Sequence, residues 1–275
     1  MATDKTKQSA CPKVDYRVEL PRYRRPGEPH RYRLSTAGIE ACEKKPAVPP
    51  WLISFRFGTR YVSALATSFD RDRPHLLDLQ IRPSRVAWFI GALVGFLPSF
   101  AQSWVRALLP EWFLPSRVVL KAEKEGNEWK DCSAQLFDNE VRAYNRVKPL
   151  QGTVVPKCYG VARYNGRRAL VLERLGGVSL ASPQGATLTL DELAALMQPC
   201  HRAIHAFRIH HSDPHPSNYQ LVDGRLMILD LEIIEWDRPD EDNIKSMLSN
   251  IYDLAYRYKS LQRFYYRGEG WLEPA

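Results

Sequence analysis

The pair Asp223-Gly224 constrains the fold strongly, because it lies between two short apolar segments, Tyr219–Val222 and Arg225–Leu231. An Asp-Gly pair between strand-like segments favours a two-residue hairpin turn whose central residues both take positive φ. The same kind of signal occurs at Asn165-Gly166, again between apolar segments. The two turns predict antiparallel strands that pair locally, so this part of the chain should contain sheet.

The register of the second hairpin predicts a cluster of polar side chains. Counting outward from the turn places Asn218 opposite Leu229, so that Asp230 lies beside Asn218 at the open end of the ribbon. Asp213 lies only five residues before Asn218. Two carboxylates and an amide oxygen are hard oxygen ligands of the kind that suit Mg²⁺. The pattern is equally compatible with a polar loop built from turn-forming Asp and Asn residues.

Helical periodicity appears between these strand signals. The spacing of apolar residues predicts helices at residues 131–147 and 242–264. The sequence Thr189-Leu190-Asp191-Glu192 is a capping box, which predicts the start of another helix. Pro199 lies inside that helix and should kink it or split it.

Composition excludes several classes of protein. The 275 residues are 44% apolar and 25% charged, which is typical of a globular chain and not of a disordered or collagen-like one. The net charge of +8 has no dense basic cluster with interleaved aromatic residues, so nucleic-acid binding is not expected. Five cysteines without metal-ligand spacing, and no apolar run near residue 1, predict an intracellular and cytoplasmic protein with reduced thiols.

Residues 86–105 form a run of 20 uncharged residues between Arg85 and Arg106. Its length makes it a candidate membrane span, and membrane association through this segment is one prediction. Pro98 interrupts the run, however, and Gln102 makes its second half more polar. The alternative prediction is a buried or lid-like helix pair that packs on the domain that follows.

Several motifs together resemble the protein kinase-like superfamily. The sequence from His211 to Asn218 matches its HxDxxxxN catalytic loop, and Asp230 lies where that superfamily carries a metal-binding aspartate. Lys121, in the segment RVVLK, resembles its phosphate-binding strand lysine, and Glu140 resembles the helix glutamate that pairs with this lysine. The segment 169–175 resembles the strand that leads to the adenine-binding hinge. The match covers about 116 to 264, and five motifs in the right order are far more specific than one.

The departures from that pattern point to an atypical member. His211-Ser212-Asp213 lacks the arginine of protein kinases, and Asp230-Leu231-Glu232 replaces Asp-Phe-Gly. The loop is instead similar to that of aminoglycoside and choline phosphotransferases, as is Tyr252-Asp253-Leu254-Ala255. Only 45 residues follow Asp230, which resembles the short C-terminal lobes of lipopolysaccharide-type kinases.

The resemblance implies an α+β, two-lobed protein kinase-like fold, with a small antiparallel-sheet N-lobe and a reduced, mainly helical C-lobe after an N-terminal extension. The expected divisions are a flexible, basic, Pro-rich arm at 1–50 and an extension at 51–115 with possible lid strands and an apolar helical segment. The kinase-like domain would then cover 116–265, and a tail 266–275.

The resemblance also implies an ATP- and Mg²⁺-dependent phosphotransferase that acts on a hydroxyl of a protein or small molecule. In it Asp213 would orient the acceptor and take its proton, Asn218 and Asp230 would hold Mg²⁺, and Lys121 would hold the α- and β-phosphates. Nucleotide binding would further involve Glu140, Glu173 and Leu175.

Two alternatives remain open. No GxGxxG precedes Lys121, which favours a pseudokinase that acts as a binding or scaffold protein, unless a hairpin with Gly58 at its tip forms the nucleotide lid. His201 and His205, four residues apart on a predicted helix, could bind zinc together with Asp213, as in a metal-dependent hydrolase. His211 is expected to support the backbone around Asp213.

Overall fold

The computed structural model describes residues 33–35, 37, 41, 48–69, 73–125, 132–237 and 240–267. The predicted arm at 1–50 therefore lies largely outside the described residues, and two of the cysteines, Cys11 and Cys42, lie wholly outside them.

The described chain contains both strands and helices. The strands are β1 (Arg33–Leu34), β2 (Trp51–Phe57), β3 (Arg60–Ser68), β4 (Leu76–Ile81), β5 (Arg117–Ala122), β6 (Cys158–Tyr164), β7 (Arg167–Glu173), β8 (Val178–Ser179), β9 (Ile209–His211), β10 (Tyr219–Val222), β11 (Arg225–Ile228), β12 (Ile234–Trp236) and β13 (Tyr266–Arg267). The α-helices are α1 (Arg85–Gly95), α2 (Ser99–Leu108), α3 (Ser133–Arg146), α4 (Leu190–His205) and α5 (Asp240–Tyr265).

Six of the described strands close into an antiparallel barrel in the order β2-β3-β4-β5-β7-β6. The closing pair joins β2 to β6, with Arg56 opposite Arg163 and Phe57 opposite Ala162. This barrel contradicts the expected two-lobed protein kinase-like fold with a sheet N-lobe. The physical reason is β2, which pairs with β3 on one side and β6 on the other, so that the sheet keeps no free edge. The barrel draws strands from both sides of residue 116.

The interior of the barrel is apolar, because side chains along each strand point alternately inward and outward and the inward ones are apolar. Val118, Leu120 and Ala122 of β5 point inward, as do Ala169 and Val171 of β7. The opposite faces of β5 and β7 pack against a second hydrophobic core. Leu170 and Leu172 of β7 belong to a second cluster, formed mainly by α3, α4, α5 and the short strands between them. One face of β5 and β7 is thus the contact between the barrel and the helical region.

Both predicted hairpin turns are confirmed. Asn165 and Gly166 have φ of 49° and 76°, and Asp223 and Gly224 have φ of 48° and 74°, as a two-residue turn of this type requires. The register of the second hairpin pairs Val222 with Arg225 and Tyr219 with Ile228.

The predicted capping box is also present. The Thr189 side chain accepts a hydrogen bond from the Glu192 N–H, and the Glu192 side chain accepts one from the Thr189 N–H. Pro199 does not split the helix that follows, because α4 runs continuously from Leu190 to His205.

The apolar run 86–105 forms the two helices α1 and α2, which are separated at Leu97-Pro98. Among the described residues, no helix has both the length and the apolar character needed to cross a membrane. The predicted helix pair is correct, but its predicted burial is wrong. Val94 is the one buried residue of α1, and the fully described helix α2 buries none.

Candidate functional site

Lys121 lies on the outer face of the barrel, where β5 meets the helical region. Its neighbours Leu120 and Ala122 point into the barrel, so the alternation of the strand turns Lys121 outward. The side chain is nevertheless buried. Its ammonium donates hydrogen bonds to Glu140 Oε1 at 2.8 Å and to Asp230 Oδ1 at 2.9 Å. Burial alone would lower the pKa of Lys121, but the surrounding carboxylates outweigh it and raise that pKa above its ordinary value.

Glu140 comes from the buried stripe of α3. Phe137, Glu140 and Tyr144 follow each other at helical spacing on the face that packs against the rest of the protein. Glu140 is 1% exposed. Burial raises the pKa of its carboxyl to about 7, although Lys121 acts in the opposite direction. The pairing of Lys121 with Glu140, expected from the sequence, is therefore a buried contact and not a surface ion pair.

Asp230 and Glu232 follow the β10–β11 hairpin. Glu232 Oε2 lies 3.7 Å from the Lys121 ammonium, and Glu232 also contacts the ammonium of Lys124. The backbone N–H of Glu232 donates to Asp230 Oδ1 at 3.1 Å. Burial tends to raise the pKa of Asp230, but Lys121 and this hydrogen bond overcome it and lower that pKa to about 2. Asp230 is thus held as a carboxylate.

The cluster combines three carboxyl groups with two ammonium groups. Among the described residues, Glu140, Asp230 and Glu232 offer carboxylate oxygens that lie within 4.8 Å of one another. Lys121 and Lys124 supply two positive charges against these three carboxylates. This donor set of oxygen atoms fits a hard divalent cation such as Mg²⁺.

Asp213 and Asn218 form a second pair next to this cluster. The Asn218 side-chain amide donates to Asp213 Oδ2 at 2.7 Å, and Asn218 is buried. The backbone of Asn218 accepts a hydrogen bond from the Leu229 N–H at 2.9 Å, as the hairpin register predicts. Leu229 immediately precedes Asp230. This backbone hydrogen bond therefore places the Asp213–Asn218 pair next to Asp230.

His211 supports the backbone between the two groups. Its Nε2 donates to the carbonyl of Asp230 at 2.7 Å, and the side-chain amide of Asn250 contacts the His211 carbonyl. Burial lowers the pKa of His211, so the ring is neutral at pH 7. These contacts agree with the structural role predicted for His211.

The connection between β3 and β4 lies at the same end of the barrel as Lys121, since Leu76 pairs with Lys121. Arg73 donates to Ser217 Oγ at 2.8 Å, which joins this connection to the loop that carries Asp213. His75 is partly buried, and burial followed by the nearby charges of Lys124 and Lys121 lowers its pKa to about 4. Sequence reasoning missed Arg73, His75 and Lys124, because these residues belong to no motif and only the strand register brings them to the site.

The predicted lid at Gly58 is wrong. Gly58 does form the tip of the β2–β3 hairpin, with φ of 57°. That tip is at the end of the barrel opposite Lys121, because β3 runs from Arg60 toward Ser68, and Ser68 pairs with Leu77 near Lys121. The Gly58 turn instead contacts Glu111, which accepts a hydrogen bond from Thr59 Oγ1 at 2.8 Å.

Glu173 and Leu175 lie apart from the charged cluster. Lys121 pairs with Leu170 and Val118 pairs with Glu173, which separates Glu173 from Lys121 by about 10 Å along the strands. Glu173 Oε2 accepts a hydrogen bond from the Lys157 N–H at 3.0 Å, and Leu175 is buried.

The described histidines do not form the zinc site considered from the sequence. His201 shares a hydrogen bond with the Tyr219 hydroxyl at 3.0 Å, and His205 Nε2 contacts His210 Nδ1 at 3.3 Å. Burial lowers the pKa of His201 to about 3. These side chains are thus engaged in packing and hydrogen bonding, and Asp213 is engaged with Asn218.

No protein-family model matches the sequence, and no curated protein is significantly similar to it.

Proposed function

We propose that this protein is an ATP- and Mg²⁺-dependent phosphotransferase that transfers a phosphoryl group to a hydroxyl of a protein or small molecule. The observation that carries the proposal is the buried Lys121, held between Glu140 and Asp230 beside the Asp213–Asn218 pair. The proposal rests on these residues and on the motif resemblance, not on the fold class. It includes an intracellular, cytoplasmic location, which the free thiols of the described cysteines support.

Asp230 and Asn218 would hold Mg²⁺, with Glu232 close to Asp230. The Asn218 side-chain nitrogen donates to Asp213, and its oxygen accepts a hydrogen bond from Ser217 Oγ at 3.4 Å, which Mg²⁺ binding would replace or share. When bound, Mg²⁺ supplies positive charge that stabilises the phosphate oxygens during transfer.

Lys121 would hold the α- and β-phosphates of the nucleotide. Glu140 fixes the ammonium from the α3 side, so the lysine is oriented before ligand binds. Arg73 provides a second cation on the β3–β4 connection. Glu173 and Leu175 would contact the base, and Glu173 lies about 10 Å from Lys121 along the strands.

Asp213 would position the acceptor hydroxyl and take its proton. The hydroxyl oxygen forms a bond to the γ-phosphorus, the bond from that phosphorus to the β–γ bridging oxygen breaks, and ADP leaves with the bonding electrons. The hydrogen bond from Asn218 holds the Asp213 carboxylate in place for this transfer.

A catalytically inactive binding protein is a second candidate, and two observations favour it. The β3–β4 connection, residues 69–75, contains no glycine that would let backbone N–H groups approach phosphates closely. Lys121 also contacts Asp230 directly, so the lysine and a cation compete for the same carboxylate.

Thermal unfolding with nucleotide tests the binding step on which the enzyme proposal depends. A ligand at 100 times its Kd stabilises the folded state by about 2.7 kcal/mol. We expect ATP with Mg²⁺ to raise the Tm of the wild type, and to have a much smaller effect on Asp230→Asn. The exposed turn residue Asp223 offers a matched control, because Asn is equally suited to its turn. No rise in Tm for a folded wild type would refute the enzyme proposal.

A further inference from the structure

The helical hairpin of α1 and α2, residues 85–108, carries a large exposed apolar surface. On α2, Phe100, Trp104 and Leu108 recur every four residues and are 72%, 71% and 72% exposed. On α1 and the turn after it, Trp88 and Phe96 are 76% and 88% exposed. Single exposed apolar residues are ordinary, but this many large ones on one short helical hairpin indicate an interaction site.

The exposure does not come from a poorly formed hairpin. Val94 is buried, and the Gln102 side-chain amide donates to the carbonyls of Leu97 at 2.9 Å and Gly95 at 3.3 Å across the turn. Arg106 lies over the Phe113 ring at 5.6 Å, which ties the end of α2 to the segment that enters the barrel. The hairpin is therefore held in place while its apolar face points away from the protein.

The charges around this face indicate its partner. Between Asp78 and Glu111 the sequence contains three arginines, at positions 82, 85 and 106, and no acidic residue or lysine. All three arginines are exposed. Aromatic and aliphatic residues flanked by basic ones are typical of helices that lie in the headgroup region of anionic membranes. If a second copy of the chain docked on this face, its three arginines would lie against the same three arginines of the first copy. The repulsion between these positive charges disfavours self-association through this face.

We infer that the α1–α2 hairpin binds the surface of an anionic lipid bilayer, with its aromatic residues inserted at the level of the headgroups. The two helices are about 16 and 15 Å long, roughly half the thickness of the hydrocarbon core, so each one suits a position along the surface. This inference is independent of the proposed phosphotransferase activity.

Vesicle flotation of the full chain tests the inference. We expect the protein to float with vesicles of phosphatidylcholine that contain roughly a third phosphatidylserine, and to bind pure phosphatidylcholine vesicles less. Replacing Phe100 and Trp104 together by Ser should reduce the bound fraction about tenfold or more, and high salt should weaken binding of the wild type. Leu52→Ser is the matched control, because Leu52 is 59% exposed on the barrel, and it should leave binding unchanged.

Two results would overturn the inference. One is equal flotation of the wild type and the double variant, or no flotation of either. The other is a wild type that self-associates in light scattering, loses this association in the double variant, and does not bind vesicles. Circular dichroism of each variant shows that both remain folded, as expected for substitutions at exposed positions.

Discussion

At the scale of single residues, Lys121 connects the carboxylates of the site. Its ammonium is buried and contacts three carboxylates, two of them by short hydrogen bonds. Removing one partner from a buried ion pair leaves the other charges without compensation, which costs more than the pair itself contributes.

We therefore predict that Lys121→Met lowers the free energy of unfolding by about 3–5 kcal/mol at pH 7. Adding Glu140→Gln to this variant should recover part of the loss, because one uncompensated carboxylate disappears. Urea unfolding of the two single variants and the double variant measures the coupling. Lys148→Met, at an exposed position, is the control. Additive losses in the double variant would show that the two side chains do not interact.

His201 gives a prediction about pH. Burial lowers its pKa to about 3, so between that pH and 6.5 the unfolded chain binds a proton that the folded chain does not. The contribution of His201 to stability is therefore complete above about pH 6.5 and is lost progressively as the pH falls toward 3.

His201→Gln should reduce the slope of unfolding free energy against pH in this range by up to about 1.4 kcal/mol per pH unit. Glutamine keeps a polar group near the Tyr219 hydroxyl but does not titrate. Chemical unfolding at pH values from 4 to 7 measures this slope. Equal slopes for the wild type and His201→Gln would mean that the pKa of His201 is not lowered by folding.

At the scale of elements, the sequence predicts local structure better than it predicts how strands assemble. The two hairpins and the capping box follow from residues next to each other, such as Asn165-Gly166 and Thr189–Glu192, and they are present. Closure of the barrel depends on pairing between β2 and β6, which are about 100 residues apart. No residue pattern within either strand predicts this pairing, and the prediction of an open N-lobe sheet from the motifs was therefore wrong.

The same limit applies to the site. Asp213, Asn218 and Asp230 could be placed from one hairpin, because the register of a two-residue turn is fixed. Arg73 and His75 reach the site through the pairing of β4 with β5, across an insertion that includes α1 and α2. Sequence periodicity gives no means of predicting that contact.

The β2–β3 turn allows an element-scale prediction with an internal control. A Cβ at Gly58 would lie 2.6 Å from Glu111 Cδ, whereas a Cβ at Gly166 would meet nothing within 4 Å. Both glycines have positive φ, so alanine is strained at both. Gly58→Ala should lower stability by roughly 1–3 kcal/mol and clearly more than Gly166→Ala, because Glu111 is buried and bonded to Thr59.

Thermal or urea unfolding of the two alanine variants measures this difference. Similar losses would mean that Glu111 moves away at little cost and that backbone strain accounts for both effects.

At the scale of the whole molecule, the site joins two separate cores. Lys121 belongs to a barrel strand, while Glu140, Asp230 and Glu232 belong to the region outside the barrel. A ligand that contacts Lys121 and Asp230 should therefore stabilise both parts. We predict that ATP with Mg²⁺ slows amide hydrogen exchange in β5 and in residues 213–232 together, whereas protection of one part alone would contradict a ligand bound between them.

The proposed phosphoryl transfer can be tested by measuring the release of γ-phosphate from ATP. With water as the acceptor, we predict slow, Mg²⁺-dependent phosphate release by the wild type and by Asp223→Asn. The rate should fall by a factor of about 10² or more in Asp213→Asn, which cannot accept the proton. Equal rates in the wild type and Asp213→Asn, or no release by a folded wild type that binds ATP, would contradict the account.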